Sequence, residues 1–149
     1  MRLLDDVNAT PYLAGTLCRG LGALKATDKS HVSKKSSTKL AGSVDVDKAL
    51  EPSQPNAHRW DYFVGVYEED RIRIHWIEVH PASSTGNIAQ VEAKMSWLVN
   101  WMKTTALVNY PRNIVWIASG KSSFNSRHPS IRKLASHGLT YKSSSGLEL

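Results

Sequence analysis

The chain has 149 residues, 41% of them hydrophobic, which suits one globular domain and excludes a disordered chain. A single cysteine, Cys18, excludes an internal disulfide and a cysteine-built zinc site. The net charge of +6 is unevenly spread: residues 94–149 hold eight Lys and Arg against one acid, Glu148, while residues 1–93 are nearly balanced. An asymmetric basic load points to a polyanionic partner, nucleic acid first.

The opening MRLLDDVNAT carries Asp5 and Asp6 where a signal peptide needs an apolar stretch. No apolar run is long enough to span a bilayer. The expectation is a cytoplasmic protein with no membrane partner. Residues 10–26, TPYLAGTLCRGLGALKA, read as a first helix. Thr10 would cap it, Pro11 would take its first position, and Leu13, Leu17, Leu21 and Leu24 fall at helical spacing. Gly15, Gly20 and Gly22 count against it. Cys18 reads as core. Residues 27–42 read as a polar loop, and 43–50, SVDVDKAL, as a short strand whose Asp45 and Asp47 share one face.

Residues 59–67 and 71–80 are the strongest strand candidates, rich in aromatic and β-branched residues. Glu69 and Asp70 would turn the chain between them. A symmetric hairpin there pairs residues whose numbers sum to 139, which sets Asp61 opposite Glu78 on one face. By alternation Ile72, Ile74, Trp76, Glu78 and His80 share that face. His75 falls on the other face and reads as a surface residue. Two opposed carboxylates on an apolar face repel, and burial raises the cost of ionising them. A divalent cation held by oxygen ligands would compensate; so would a shared proton or an arginine such as Arg59.

A helix is expected over about 86–104, with Ile88, Val91, Met95, Leu98, Val99 and Met102 as its apolar stripe. Lys94 lies about 80° from the centre of that stripe, with Gln90 one turn earlier. Trp97 and Trp101 fall on the same side; they could stack on bases or pack under the N-terminal helix, and packing is the better reading. Residues 113–118 form a buried strand, and 128–138 a short helix followed by Gly138. The last residues hold a short strand or a loose tail. In the basic third, Lys121, Arg127, Arg132 and Lys133 are candidate contacts to a nucleic-acid backbone.

The order helix, three strands, helix, strand, helix predicts a single α/β domain with a mixed sheet. With Asp61 in RWDY and Glu78 in IEVH, residues 40–120 resemble the PD-(D/E)XK nuclease superfamily, a restriction-endonuclease-like fold with an α-β-β-β-α-β core. The resemblance implies Mg²⁺ or Mn²⁺ held by Asp61, Glu78 and the Val79 carbonyl, and metal-assisted phosphodiester hydrolysis in DNA or RNA. It implies a further upstream acid, for which Asp45 and Asp47 are the candidates. The resemblance also implies an acid-X-lysine triplet beginning at Glu78, and there one departure is plain: His80 stands where the triplet's lysine belongs. Either His80 handles the attacking water, or Lys94 on the next helix does, or the activity is lost. The rival reading is a non-catalytic module that binds nucleic acid or protein. A chain of 149 residues has little room for a separate specificity domain, which points to a homodimer or a partner protein.

Overall fold

The computed structural model describes residues 2–149. Helix α1 (Leu3–Ala9) opens the chain, followed by the single turn α2 (Ala26–Lys29) and the short strand β1 (Val32–Ser33). Then come β2 (Leu40–Asp45), α3 (Val46–Leu50), β3 (Tyr62–Glu68), β4 (Arg71–Pro81) and α4 (Thr85–Met102). The chain ends with β5 (Arg112–Ser119), α5 (Pro129–Ser136), β6 (Leu139–Lys142) and β7 (Leu147–Glu148).

Five strands form one mixed sheet in the order β2-β3-β4-β5-β6. β3 runs antiparallel to both neighbours, while β4, β5 and β6 are parallel. The C-terminal ends of β2, β4 and β5 therefore meet at one end of the sheet, where open α/β sheets offer a crevice for ligands. The protein is thus a single α/β domain with a mixed sheet, as expected. Among the described residues no helix is long and apolar enough to cross a membrane.

The sheet is buried on both faces. On one, Phe63, Ile74, Trp76, Ile114 and Trp116 pack with Ile88, Val91, Met95 and Leu98 of α4 and with Ile131 and Leu134 of α5. On the other, Tyr62, Val64, Ile77, Val115 and Ile117 pack under Leu24, Val32 and Leu149. Burial on both faces explains why β3 and β5 read as continuous apolar runs rather than alternating ones. α4 follows the expectation closely: Ser84 and Asn87 form a reciprocal capping box, and five apolar residues of its stripe are buried.

The N-terminal third departs from the sequence reading. Residues 10–25 form a series of turns, and the helix lies before them at α1. Thr10 ends that helix instead of starting one, its Oγ1 donating to the Asp6 carbonyl at 2.8 Å. Tyr12, Gly15 and Gly20 adopt φ of 70°, 77° and 55°, which breaks any helix through them. The four leucines are anchors of an irregular wrap. Leu13 enters the core on one face of the sheet and Leu24 the core on the other. Between them the chain rounds the edge strand, where Cys18 and Ser43 exchange backbone hydrogen bonds of 2.8 and 2.9 Å. Cys18 is therefore a half-buried edge residue of this wrap, not the interior of a helix. The expected strand at 43–50 splits: β2 ends at Asp45, which caps α3 by accepting from the Lys48 N–H at 2.9 Å.

Candidate functional site

The β3–β4 register pairs Tyr62 with Ile77, Tyr67 with Ile72 and Glu68 with Arg71. It is the symmetric hairpin expected from the sequence, and its next step outward sets Asp61 across from Glu78. The two residues bind each other reciprocally. The Asp61 N–H donates to Glu78 Oε1 at 3.0 Å, and the Val79 N–H donates to Asp61 Oδ2 at 3.0 Å. Each carboxylate thus spends one oxygen on the other strand's backbone. The main chain of Asp61 is fixed in turn by α3, whose Val46 and Asp47 N–H groups donate to its carbonyl at 2.9 and 3.2 Å.

The remaining oxygens converge on Lys94. From the middle of α4 its Nζ hydrogen-bonds Glu78 Oε2 and stands 3.7 Å from Asp61 Oδ1. Glu78 is fully buried, and the Lys94 and Asp61 side chains are each 20% exposed. Burial raises the pKa of Asp61, repulsion from Glu78 adds to it, and Lys94 opposes both, leaving the group at about 7. Burial works against the Lys94 charge, but Glu78 and Asp61 outweigh it and hold its pKa above the ordinary value.

His80 follows Glu78 by two residues on β4. Its Nδ1 lies 3.5 Å from Glu78 Oε2, and its Nε2 is 2.8 Å from Gln90 Oε1. That oxygen also accepts from Asn87 Nδ2 at 3.1 Å, so His80 Nε2 is a donor. The hydrogen bond to Glu78 raises the imidazole pKa, burial opposes it, and Gln90 adds to the rise. The ring is therefore clamped between α4 and Glu78. Trp116, Glu78's neighbour on β5, donates from Nε1 to the His80 carbonyl at 2.9 Å.

The other expected site residues are scattered. Asp45 and Asp47 do not share a strand face, because the strand stops at Asp45. Asp45 caps α3, and Asp47 lies in its first turn, 2.9 Å from Arg59 Nε. Arg59 also reaches Glu51 at 3.6 Å, so it is not the partner of Asp61. Asp47 still contributes to the field at Lys94. Lys121 and Arg127 lie on the loop after β5, at the same sheet end as the carboxylates; Ser123 N–H donates to the Ala82 carbonyl at 2.9 Å. Arg132 and Lys133 lie on α5. All four are exposed, and none forms an ion pair among the described residues. Trp97 and Trp101 stack with centroids 5.4 Å apart and planes 7° apart. Trp97 donates to Gln54 Oε1 at 2.9 Å, and Trp101 meets Trp76 edge-on, so they pack as expected but under the α3–β3 connection rather than the N-terminal helix.

The donor set can be tested against a divalent cation. Asp61 and Glu78 supply hard carboxylate oxygens, the donor type that Mg²⁺ and Mn²⁺ take. The Val79 carbonyl leaves β4 on the same edge as its N–H, toward Asp61. The point where the free carboxylate oxygens meet is a cation's position, held here by an ammonium. The set fits a cation that brings its own waters. Among the described residues no group of three or more His, Cys, Asp or Glu side chains is placed to hold a metal ion.

The chain matches no family model, no curated protein and no solved structure.

Proposed function

We propose that the protein is a metal-dependent nuclease with a restriction-endonuclease-like core, hydrolysing phosphodiester bonds of DNA or RNA. The observation that supports this most is Lys94. The lysine missing from the β4 triplet is supplied from α4, and its Nζ sits against both acids. Two strand-end carboxylates and an ammonium at one point form a charge pattern suited to metal-assisted phosphodiester hydrolysis.

In this reading Asp61, Glu78 and the Val79 carbonyl hold Mg²⁺ or Mn²⁺. The metal, when bound, supplies Lewis acidity and lowers the pKa of a bound water. With a metal between the carboxylates, Lys94 would donate a hydrogen bond to the attacking water, whose proton passes to solvent, and would offset negative charge on the phosphate oxygens. His80, bound on one ring nitrogen by Glu78 and on the other by Gln90, is a positioning residue that sets the orientation of Glu78. Lys121 and Arg127, exposed on the loop at the same sheet end, would take backbone phosphates.

One observation favours the non-catalytic alternative: Lys94 neutralises the carboxylates without a metal. Calorimetric titration of Mn²⁺ into wild type and Asp61→Ala, with cleavage assays on plasmid and single-stranded DNA and RNA, decides between them. The nuclease reading expects binding and metal-dependent cleavage in wild type and neither in the variant. No Mn²⁺ binding by wild type at millimolar concentration would overturn it.

A further inference from the structure

The β3–β4 turn lies at the end of the sheet away from the carboxylates. β3 runs seven residues, from Tyr62 to Glu68, a span of about 23 Å at roughly 3.3 Å per residue. Near the turn Tyr67, directly across from Ile72, is 56% exposed, and Leu4 of α1 is 39% exposed. Tyr67 and Ile72 line two clefts at once. One, of about 460 Å³, is walled by Glu69, Asp70 and the Asn109–Pro111 stretch that leads into β5. The other, of about 310 Å³, is walled by Arg2, Leu4, Leu17 and Ala41.

The frame around Tyr67 is fixed. α1 packs so closely on β3 that a Cβ added at Gly65 would meet Leu3 Cδ2 at 2.7 Å. Tyr110 Oη donates to Asp6, which ties α1 to the wall of the larger cleft. The Tyr67 N–H donates to the Lys39 carbonyl at 2.9 Å. At the turn Glu69 holds φ 31°, a left-handed conformation that costs about 1 kcal/mol or more for a residue with a side chain. Hairpins favour Gly or Asn at that position. The charges divide between the two sides. Glu69 and Asp70 are exposed beside the larger cleft, and Arg2 and Lys39 are exposed on the side of the smaller one. None of these four forms an ion pair among the described residues, whereas the neighbouring Arg71 is held by Glu68 at 3.3 Å.

We propose that this face is the interface of a two-fold homodimer, in which Tyr67 packs over Leu4 and Ile72 of a second copy while Glu69 and Asp70 meet that copy's Arg2 and Lys39. A two-fold interface uses the same patch on both subunits, so the patch must complement itself. An apolar centre with acids on one side and cations on the other does so, because the two-fold rotation sets each acidic side against a basic one. Tyrosine suits the centre of such an interface, and the flanking charges fix its orientation. Each Asp61–Glu78 centre then stays at the outer end of its own subunit, facing away from the other. The surface stands independently of the nuclease reading.

The test is sedimentation velocity of the full chain over a dilution series reaching high micromolar concentration. The proteins are wild type, Tyr67→Ser, the acid reversal Glu69→Lys with Asp70→Lys, and the cation reversal Arg2→Glu with Lys39→Glu. All five positions are exposed, so circular dichroism should match wild type throughout. Wild type is expected to dimerise, and Tyr67→Ser to dimerise about tenfold more weakly or worse. Each reversal alone should be monomeric. An equimolar mixture of the two reversals should dimerise again, because each presents the charges that the other lacks. Wild type that stays monomeric would overturn the proposal and leave the face to a different protein. So would Tyr67→Ser that dimerises as wild type does, or a mixture of folded reversal variants that stays monomeric.

Discussion

Replacing Lys94 with methionine removes the ammonium and keeps most of the stem. Glu78 is then fully buried, with Asp61 still opposite it and only His80 Nδ1, 3.5 Å away, as a cationic partner. Removing one member of a buried ion pair costs roughly 3–5 kcal/mol, because the other charge is left uncompensated. Lys94 is 20% exposed, so solvent screens part of the pair and the expected loss is about 2.5 kcal/mol. For a chain of this length that lowers Tm by about 5–10 °C. The assay is thermal and urea unfolding followed by tryptophan fluorescence at pH 7.5 in chelator. The double variant Lys94→Met with Glu78→Gln should recover part of the loss, since the buried charge is gone and the amide oxygen still accepts from the Asp61 N–H. Lys94→Met as stable as wild type, or a double variant whose loss is the sum of the single losses, would refute the argument that Lys94 neutralises Glu78.

Mn²⁺ should substitute for the lost ammonium: at a hundredfold excess over Kd it should raise the stability of Lys94→Met by about 2.7 kcal/mol, read as a concentration-dependent Tm. The pH dependence carries a distinct sign. Asp61 has a folded pKa of about 7, above the ordinary 3.8, so the folded state holds more protons between these values. Its contribution is full below pH 3.8 and is lost as pH rises through 7; stability curves for wild type minus Asp61→Asn should fall across that window, and a flat difference would contradict the burial of this group. Gly42→Ala forces a Cβ to within 2.8 Å of the Cys18 carbonyl at φ 130°, and should cost about 2 kcal/mol in urea unfolding. In cleavage assays Lys94→Met should lower kcat by at least a hundredfold, while His80→Gln, which alters only the orientation of Glu78, should lower it less than tenfold.

The β3–β4 hairpin and the Asp61–Glu78 pairing were legible in the sequence because both follow from local rules. A two-residue turn sets the register, and the period of two then assigns every side chain to a face. α4 was legible for the same kind of reason, since its cap and apolar stripe are short-range patterns. The position of Lys94 was readable as an angle on a helical wheel, but not its contact. How far α4 sits from β4, and which of Lys94 and His80 reaches the acids, depends on packing between elements distant in the chain. The aromatic pair Trp97 and Trp101 shows the same limit: their side of the helix was readable, their partner Gln54 was not.

The N-terminal wrap was illegible for a stronger reason. Leucines spaced four apart suit a helix, but they equally suit a chain that crosses from one face of a sheet to the other, and only the glycines at 15 and 20 hint at the second solution. Asp45 and Asp47 were misassigned because alternation in SVDVD is compatible with a strand that runs on. The strand stops at Asp45 because its side chain captures the Lys48 N–H and the next amides find the Asp61 carbonyl, a partner fourteen or more residues away. The sequence alone determined the elements from β3 to α5, which acids face each other and where the positive charge is concentrated, since those properties rest on neighbours within a few residues. Tertiary structure alone decided which cation neutralises the acids and where the chain leaves an open cleft, since those depend on long-range contacts that no local period encodes.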